Sequence, residues 1–165
     1  MKKFIFFLMI FFFPILDSSI MPILSVYGFY GSISFVFLIC YTIYYGEKNG
    51  IILALVLGLI QDLLYIHVIG INMLCNIVVV YCIVQIREIL NKEKKLLISI
   101  LTFLYSCLKG GIVFIIFFLI KQNYNLYSIF FPSIINFIIC FLLYKSFYKF
   151  FNSKQMKKEW NFKER

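Results

Sequence analysis

Apolar residues run along this chain in six blocks, each near the length of a membrane-crossing helix and each closed by a short polar or glycine-bearing break. A helix of about 20 residues crosses a hydrocarbon core about 30 Å thick. The blocks predict spans near Phe4–Ile20, Phe29–Tyr45, Ile51–Ile66, Gly70–Ile86, Leu96–Ile120 and Leu126–Phe147. The first opens on Lys2 and Lys3 as a secretory signal would. Pro14, Asp17 and Pro22 then follow where a small-residue cleavage site would lie, so the block reads as an uncleaved span. Phe4 to Leu16 would reach only about 20 Å, so this helix is expected to continue past Asp17, with Pro14 bending it.

Between the second and third blocks, Gly46-Glu47-Lys48-Asn49-Gly50 reads as a five-residue polar turn. The third and fourth are joined so closely, around Val68 to Gly70, that they form a hairpin. Arg87 to Lys95 is a charged internal loop. The expectation is an all-α integral membrane protein, with a six-span domain over residues 1–148 and a basic tail over 149–165 that carries Trp160.

Composition agrees with the pattern. Of 165 residues, 63% are apolar and 14% charged, and mean hydropathy is +0.96. Soluble domains carry about 25% charged residues. The net charge of +9 would suit nucleic acid, but the basic residues sit at block ends and in the tail, so they read as a topology signal instead. Six spans place Lys2, Lys3, Lys48, Arg87, Lys92, Lys94, Lys95, Lys145 and Lys149 with the tail on one side, against Lys121 on the other. Since Lys and Arg are retained in the cytoplasm, both termini of this multi-pass membrane protein are expected there.

The five cysteines all fall inside apolar runs, without metal-binding spacing, and read as small buried side chains. His67, the sole histidine, falls at a span end and reads as interfacial. No nucleophile-and-base set, phosphate-cradling loop or metal set is present, so neither an enzyme nor a cofactor is expected.

The anomaly is Asp62. At the centre of a span an Asp costs roughly 2.5–3.5 kcal/mol and calls for a partner or a water-lined cavity. On a helix Ala54, Gly58, Gln61, Asp62 and Tyr65 share one small and polar face, with Leu53, Leu57 and Ile60 elsewhere. Gly58 and Ala54 would let a neighbouring helix approach closely. Lys109 lies as deep in span five as Asp62 does in span three, and Ser99, Thr102 and Ser106 share its face. A buried Asp62–Lys109 ion pair is therefore the expected arrangement. The alternative has Lys109 reaching an interface and Asp62 bonded to Asn72 or Asn76, which are themselves neighbours one turn apart on span four. Asn136 and Ser133 are expected to turn inward from span six. Such an interior would serve helix locking or ligand binding, and the residues leave both open.

The run Gly58-Leu59-Ile60-Gln61-Asp62-Leu63-Leu64, followed by Gly70-Ile71-Asn72, resembles the signature of the MreD family of rod shape-determining proteins. The resemblance extends loosely over the whole chain. It implies a non-enzymatic subunit of the cell-elongation machinery that builds lateral peptidoglycan and maintains cell shape. The implied partners are MreC, which it would stabilise or regulate, and less directly the MreB filament, the RodA glycosyltransferase and a class B penicillin-binding transpeptidase. It also implies a six-helix fold like the substrate-binding subunits of energy-coupling-factor transporters. The alternative function follows from that likeness: a transporter subunit whose interior holds a vitamin or metal ion. The residues expected to matter for structure or interaction are Gly58, Gln61, Asp62, Gly70, Asn72, Asn76 and Lys109.

Overall fold

The computed structural model describes residues 2–23, 25, 28–65, 70–90, 94–121 and 127–152. His67 and the tail beyond Asn152, with Trp160, lie outside the described residues. The described chain forms six helices: α1 Lys2–Ser19, α2 Ile33–Tyr45, α3 Glu47–Tyr65, α4 Ile71–Ile86, α5 Lys95–Leu119 and α6 Tyr127–Phe151. Two of them, α5 and α6, are long and apolar enough to cross a membrane.

α2 is the centre. Every residue from Ser34 to Ile43 is buried, and the helix touches all five others. With neighbours on every side, this apolar helix lies in the middle of the bundle. At 13 residues it is shorter than the expected second span, because the helix begins only after Ser32, whose own backbone is extended. The Ser32 hydroxyl accepts the Phe35 N–H at 3.1 Å, and this cap fixes the start.

The expected five-residue turn after α2 is not formed. Gly46 turns the corner alone at φ +84°, and Glu47 already opens α3, where a carboxylate suits the positive end of the helix dipole. At the other end α6 runs past Phe147 to Phe151. α1 continues through Pro14 and Asp17 to Ser19.

The outward faces are apolar: Phe7, Leu63, Leu104, Phe118 and Leu142 are all more than half exposed. Such a surface would drive association in water and is at home in lipid. Inside, the two ends of the bundle differ. Around the C-terminal half of α2, aromatic rings from α1, α2 and α6 interlock. Phe6 stacks on Tyr41 at 5.0 Å, Phe13 meets Phe37 edge-on at 5.1 Å, and Phe147 meets Phe37 at 5.6 Å. Around its N-terminal half the interior is polar.

Among the cysteines, all five are free; Cys40, Cys75 and Cys140 are buried, while Cys82 and Cys107 are partly exposed. The buried face of α3 is wider than expected. Leu53 and Leu57 are buried along with Ala54, Gln61 and Asp62, because α1, α2 and α4 all pack on this helix.

Candidate functional site

The polar interior is assembled from helix ends. The first N–H groups of any helix lack intrahelical acceptors, and in a medium without water each must find one. For α4 the acceptor comes from α3. The Asp62 carboxylate, fully buried, takes the Gly70 N–H at 2.8 Å and the Met73 N–H at 3.3 Å on Oδ2, and the Asn72 N–H at 2.9 Å on Oδ1. Three donors converge on a group that, ionised, only accepts, and the positive end of the α4 dipole adds to the match.

Two glycines make the approach possible. A Cβ on Gly58 would overlap Met73 Cα and stand 2.8 Å from Met73 N, so only glycine admits the start of α4 here. Gly70 adopts φ +109°, a left-handed conformation that side chains other than glycine's resist. Gly58, Asp62, Gly70 and the Asn72 amide are thus parts of one joint.

α2 is closed in the same manner by a residue the sequence did not single out. Asp17, near the end of α1 and buried, accepts the Ser32 hydroxyl at 2.7 Å, the Ile33 N–H at 2.7 Å and the Ser34 N–H at 3.0 Å. The available signal was a carboxylate followed across a loop by Ser32, a good capping residue just before an apolar run.

Side chains link the two joints. Gln61 Nε2 donates to Ser32 Oγ at 3.4 Å, while its Oε1 accepts Asn76 Nδ2 at 3.1 Å. Asn76 Oδ1 in turn accepts the Lys109 ammonium at 3.0 Å. From Ser32 a second branch reaches α6 and α5. The Ser32 N–H donates to Asn136 Oδ1 at 2.7 Å, and Asn136 Nδ2 to Ser106 Oγ at 2.7 Å. The network therefore draws on all six helices. Beside it opens a cavity of about 280 Å³ lined in part by Asp17, Ser32, Gln61, Asn72, Lys109 and Asn136.

The expected Asp62–Lys109 ion pair is not formed. Both Asp62 oxygens are occupied by backbone N–H groups, and the ammonium goes to Asn76 with the Phe35 ring 4.8 Å away. Equal depth placed the two residues at one height but said nothing of direction around the helix. Asp62 does bond to Asn72, through its backbone and not its side chain. On α5 the face of Ser99, Thr102 and Ser106 is buried as expected; the first two hydroxyls return to carbonyls of their own helix, Lys95 and Ile98.

Among the described residues, the polar groups of the arrangement are engaged with helix ends and with one another. What it can do is hold helices in register. The family model of the rod shape-determining protein MreD matches residues 1–154. No curated protein and no solved structure matches the chain at a significant level.

Proposed function

The chain belongs to the MreD family of rod shape-determining proteins, and on that premise we propose that it is a non-enzymatic subunit of the cell-elongation complex that holds and regulates MreC. The family is a membrane component of the rod-shape system with MreC and MreB, and its members are structural, not known as enzymes. The observation that carries the reading is the match over 1–154, which takes in all six helices.

In this reading all six helices cross the cytoplasmic membrane, with both termini and the basic tail inside. The polar joints at Asp17 and Asp62 then lie toward the outer face. In lipid, apolar side chains gain little by meeting each other, so close packing and interhelical hydrogen bonds must fix the arrangement. The network supplies them, and Gly58, Gln61, Asp62, Gly70, Asn72, Asn76 and Lys109 act by shaping the surface that meets the partner. RodA and a class B transpeptidase are reached through MreC, and lateral peptidoglycan synthesis is the process served. No observation favours the energy-coupling-factor alternative.

The test is capture of the full-length protein from native membranes with crosslinkers placed in α3 and α4, alongside depletion in cells. A single-span, MreC-like periplasmic protein among the products, and rounding of depleted cells, are expected. Capture of transport ATPases alone, with rod shape maintained, would overturn the proposal.

A further inference from the structure

The end of the bundle opposite the polar joints gathers lysines from α5 and α6. Between Glu93 and Glu159 the sequence has no acidic residue, so α5 and α6 bring only positive charge to their shared end. Lys95 stands in the first turn of α5, with its ammonium 3.7 Å from the centroid of the Phe141 ring on α6. Lys145 and Lys149 follow on α6, four residues apart and both exposed.

These three lysines, with Tyr144 and Tyr148, line a cavity of about 520 Å³ that, among the described residues, no carboxylate enters. Like charges one helical turn apart destabilise a helix. A cation in the first turn of α5 also opposes that helix's dipole, and Lys94 at its N-cap makes no side-chain hydrogen bond to the first-turn N–H groups. An anion in the cavity would relieve all three.

A second groove adjoins the first. It measures about 690 Å³, shares Lys95, and is otherwise walled mainly by Leu90, Leu96, Leu97, Ile100 and Leu101. A free anion would leave this apolar groove bare. A molecule with a phosphate at one end and a hydrocarbon chain at the other would fill both. The helices that form the site are the two long enough to cross a membrane, so the groove opens where acyl chains are found.

We propose that this end of the α5–α6 hairpin holds an anionic phospholipid, with the phosphate among Lys95, Lys145 and Lys149 and an acyl chain along Leu97, Ile100 and Leu101. The site is independent of the network around Asp62 and of the MreC reading. It differs from diffuse attraction of a basic surface in having a defined pair of cavities.

The probe is phosphatidylglycerol as a minor component of phosphatidylcholine vesicles into which the full-length protein is reconstituted. After extraction in mild detergent, the lipid that remains bound is quantified by mass spectrometry. Enrichment of phosphatidylglycerol over the vesicle composition is expected, falling about fivefold for each lysine removed in K145Q and K149Q. K145R/K149R is expected to retain it, and K121Q, at the other end of the hairpin, to leave it unchanged. Ile100→Ser, which keeps every lysine, is expected to lower retention through the acyl groove. Wild-type retention by K145Q/K149Q, or by Ile100→Ser, would overturn the site. So would inorganic phosphate raising the thermal unfolding temperature as much as phosphatidylglycerol does, since that would make it a site for a free anion.

Discussion

Replacing Asp62 by Asn tests whether this carboxylate is a helix cap or half of an ion pair. The change keeps size and shape, but an amide offers one accepting oxygen where the carboxylate offers two. With Oδ1 kept toward the Asn72 N–H, the new NH₂ confronts the Gly70 and Met73 N–H groups; with the amide flipped, it confronts Asn72. At least one buried donor is stranded, at about 1–3 kcal/mol. Loss of the charge at the start of α4 adds about 0.3–1 kcal/mol, or somewhat more when buried. The sum is about 1.3–4 kcal/mol. At about 2–4 °C per kcal/mol for a chain of this size, the unfolding midpoint should fall by about 3–16 °C. The assay is heating in mild detergent followed by gel filtration of the monodisperse fraction. Lys109→Met cuts a different bond, the one to Asn76, so the double variant should be no more stable than Asp62→Asn alone. A loss below about 1 kcal/mol for Asp62→Asn would refute the cap, and a double variant more stable than Asp62→Asn alone would restore the ion pair.

Gly58→Ala pushes a Cβ into the Met73 backbone, and because the obstacle is main chain the helices must part; a loss of at least about 2 kcal/mol is expected in the same assay. Gly70→Ala meets open space but keeps the left-handed backbone, so the expected loss is smaller, about 1–2 kcal/mol. For topology, single cysteines in a background without the five native ones should separate cleanly. A membrane-impermeant maleimide added to intact cells is expected to label position 121 and spare position 149; the reverse pattern would invert the proposed orientation.

In the sequence, helical spacing and a costly buried charge marked Gly58 and Asp62, and the family resemblance joined Gly70 and Asn72 to them. It hid what Asp62 binds, since backbone N–H groups have no letter of their own. Lys109 looked like the partner because depth along a helix can be counted, whereas the direction of a long flexible side chain cannot. Asp17 escaped notice near the end of its span, where a carboxylate is expected to meet water or headgroups. α2 was legible as apolar but not as central: a helix without a polar face gives no period from which to read a direction, and only contact with all five neighbours reveals its place. The aromatic packing around Phe37 and Tyr41 was opaque for the same reason.

The joints at Asp17 and Asp62 follow one rule, and the rule has an energetic consequence. Each carboxylate sits near the C-terminus of its own helix, where the dipole is negative and an acid is disfavoured. What reverses the sign is the N-terminus of the next helix, so each Asp is stable only when its hairpin is closed: α1 with α2, α3 with α4. Gln61, beside Asp62 in sequence, donates to Ser32, which donates to Asp17, so the two closures share a side chain. Loosening one should therefore loosen the other. Asp17→Asn combined with Asp62→Asn is expected to depart from additivity by about 0.5–3 kcal/mol, the range for residues in one hydrogen-bond network. The departure should vanish in a Gln61→Met background, where the link to Ser32 is cut and both caps remain. Additive losses in the wild-type background would mean that the hairpins close independently, and a coupling that survives Gln61→Met would mean that it does not run through Gln61.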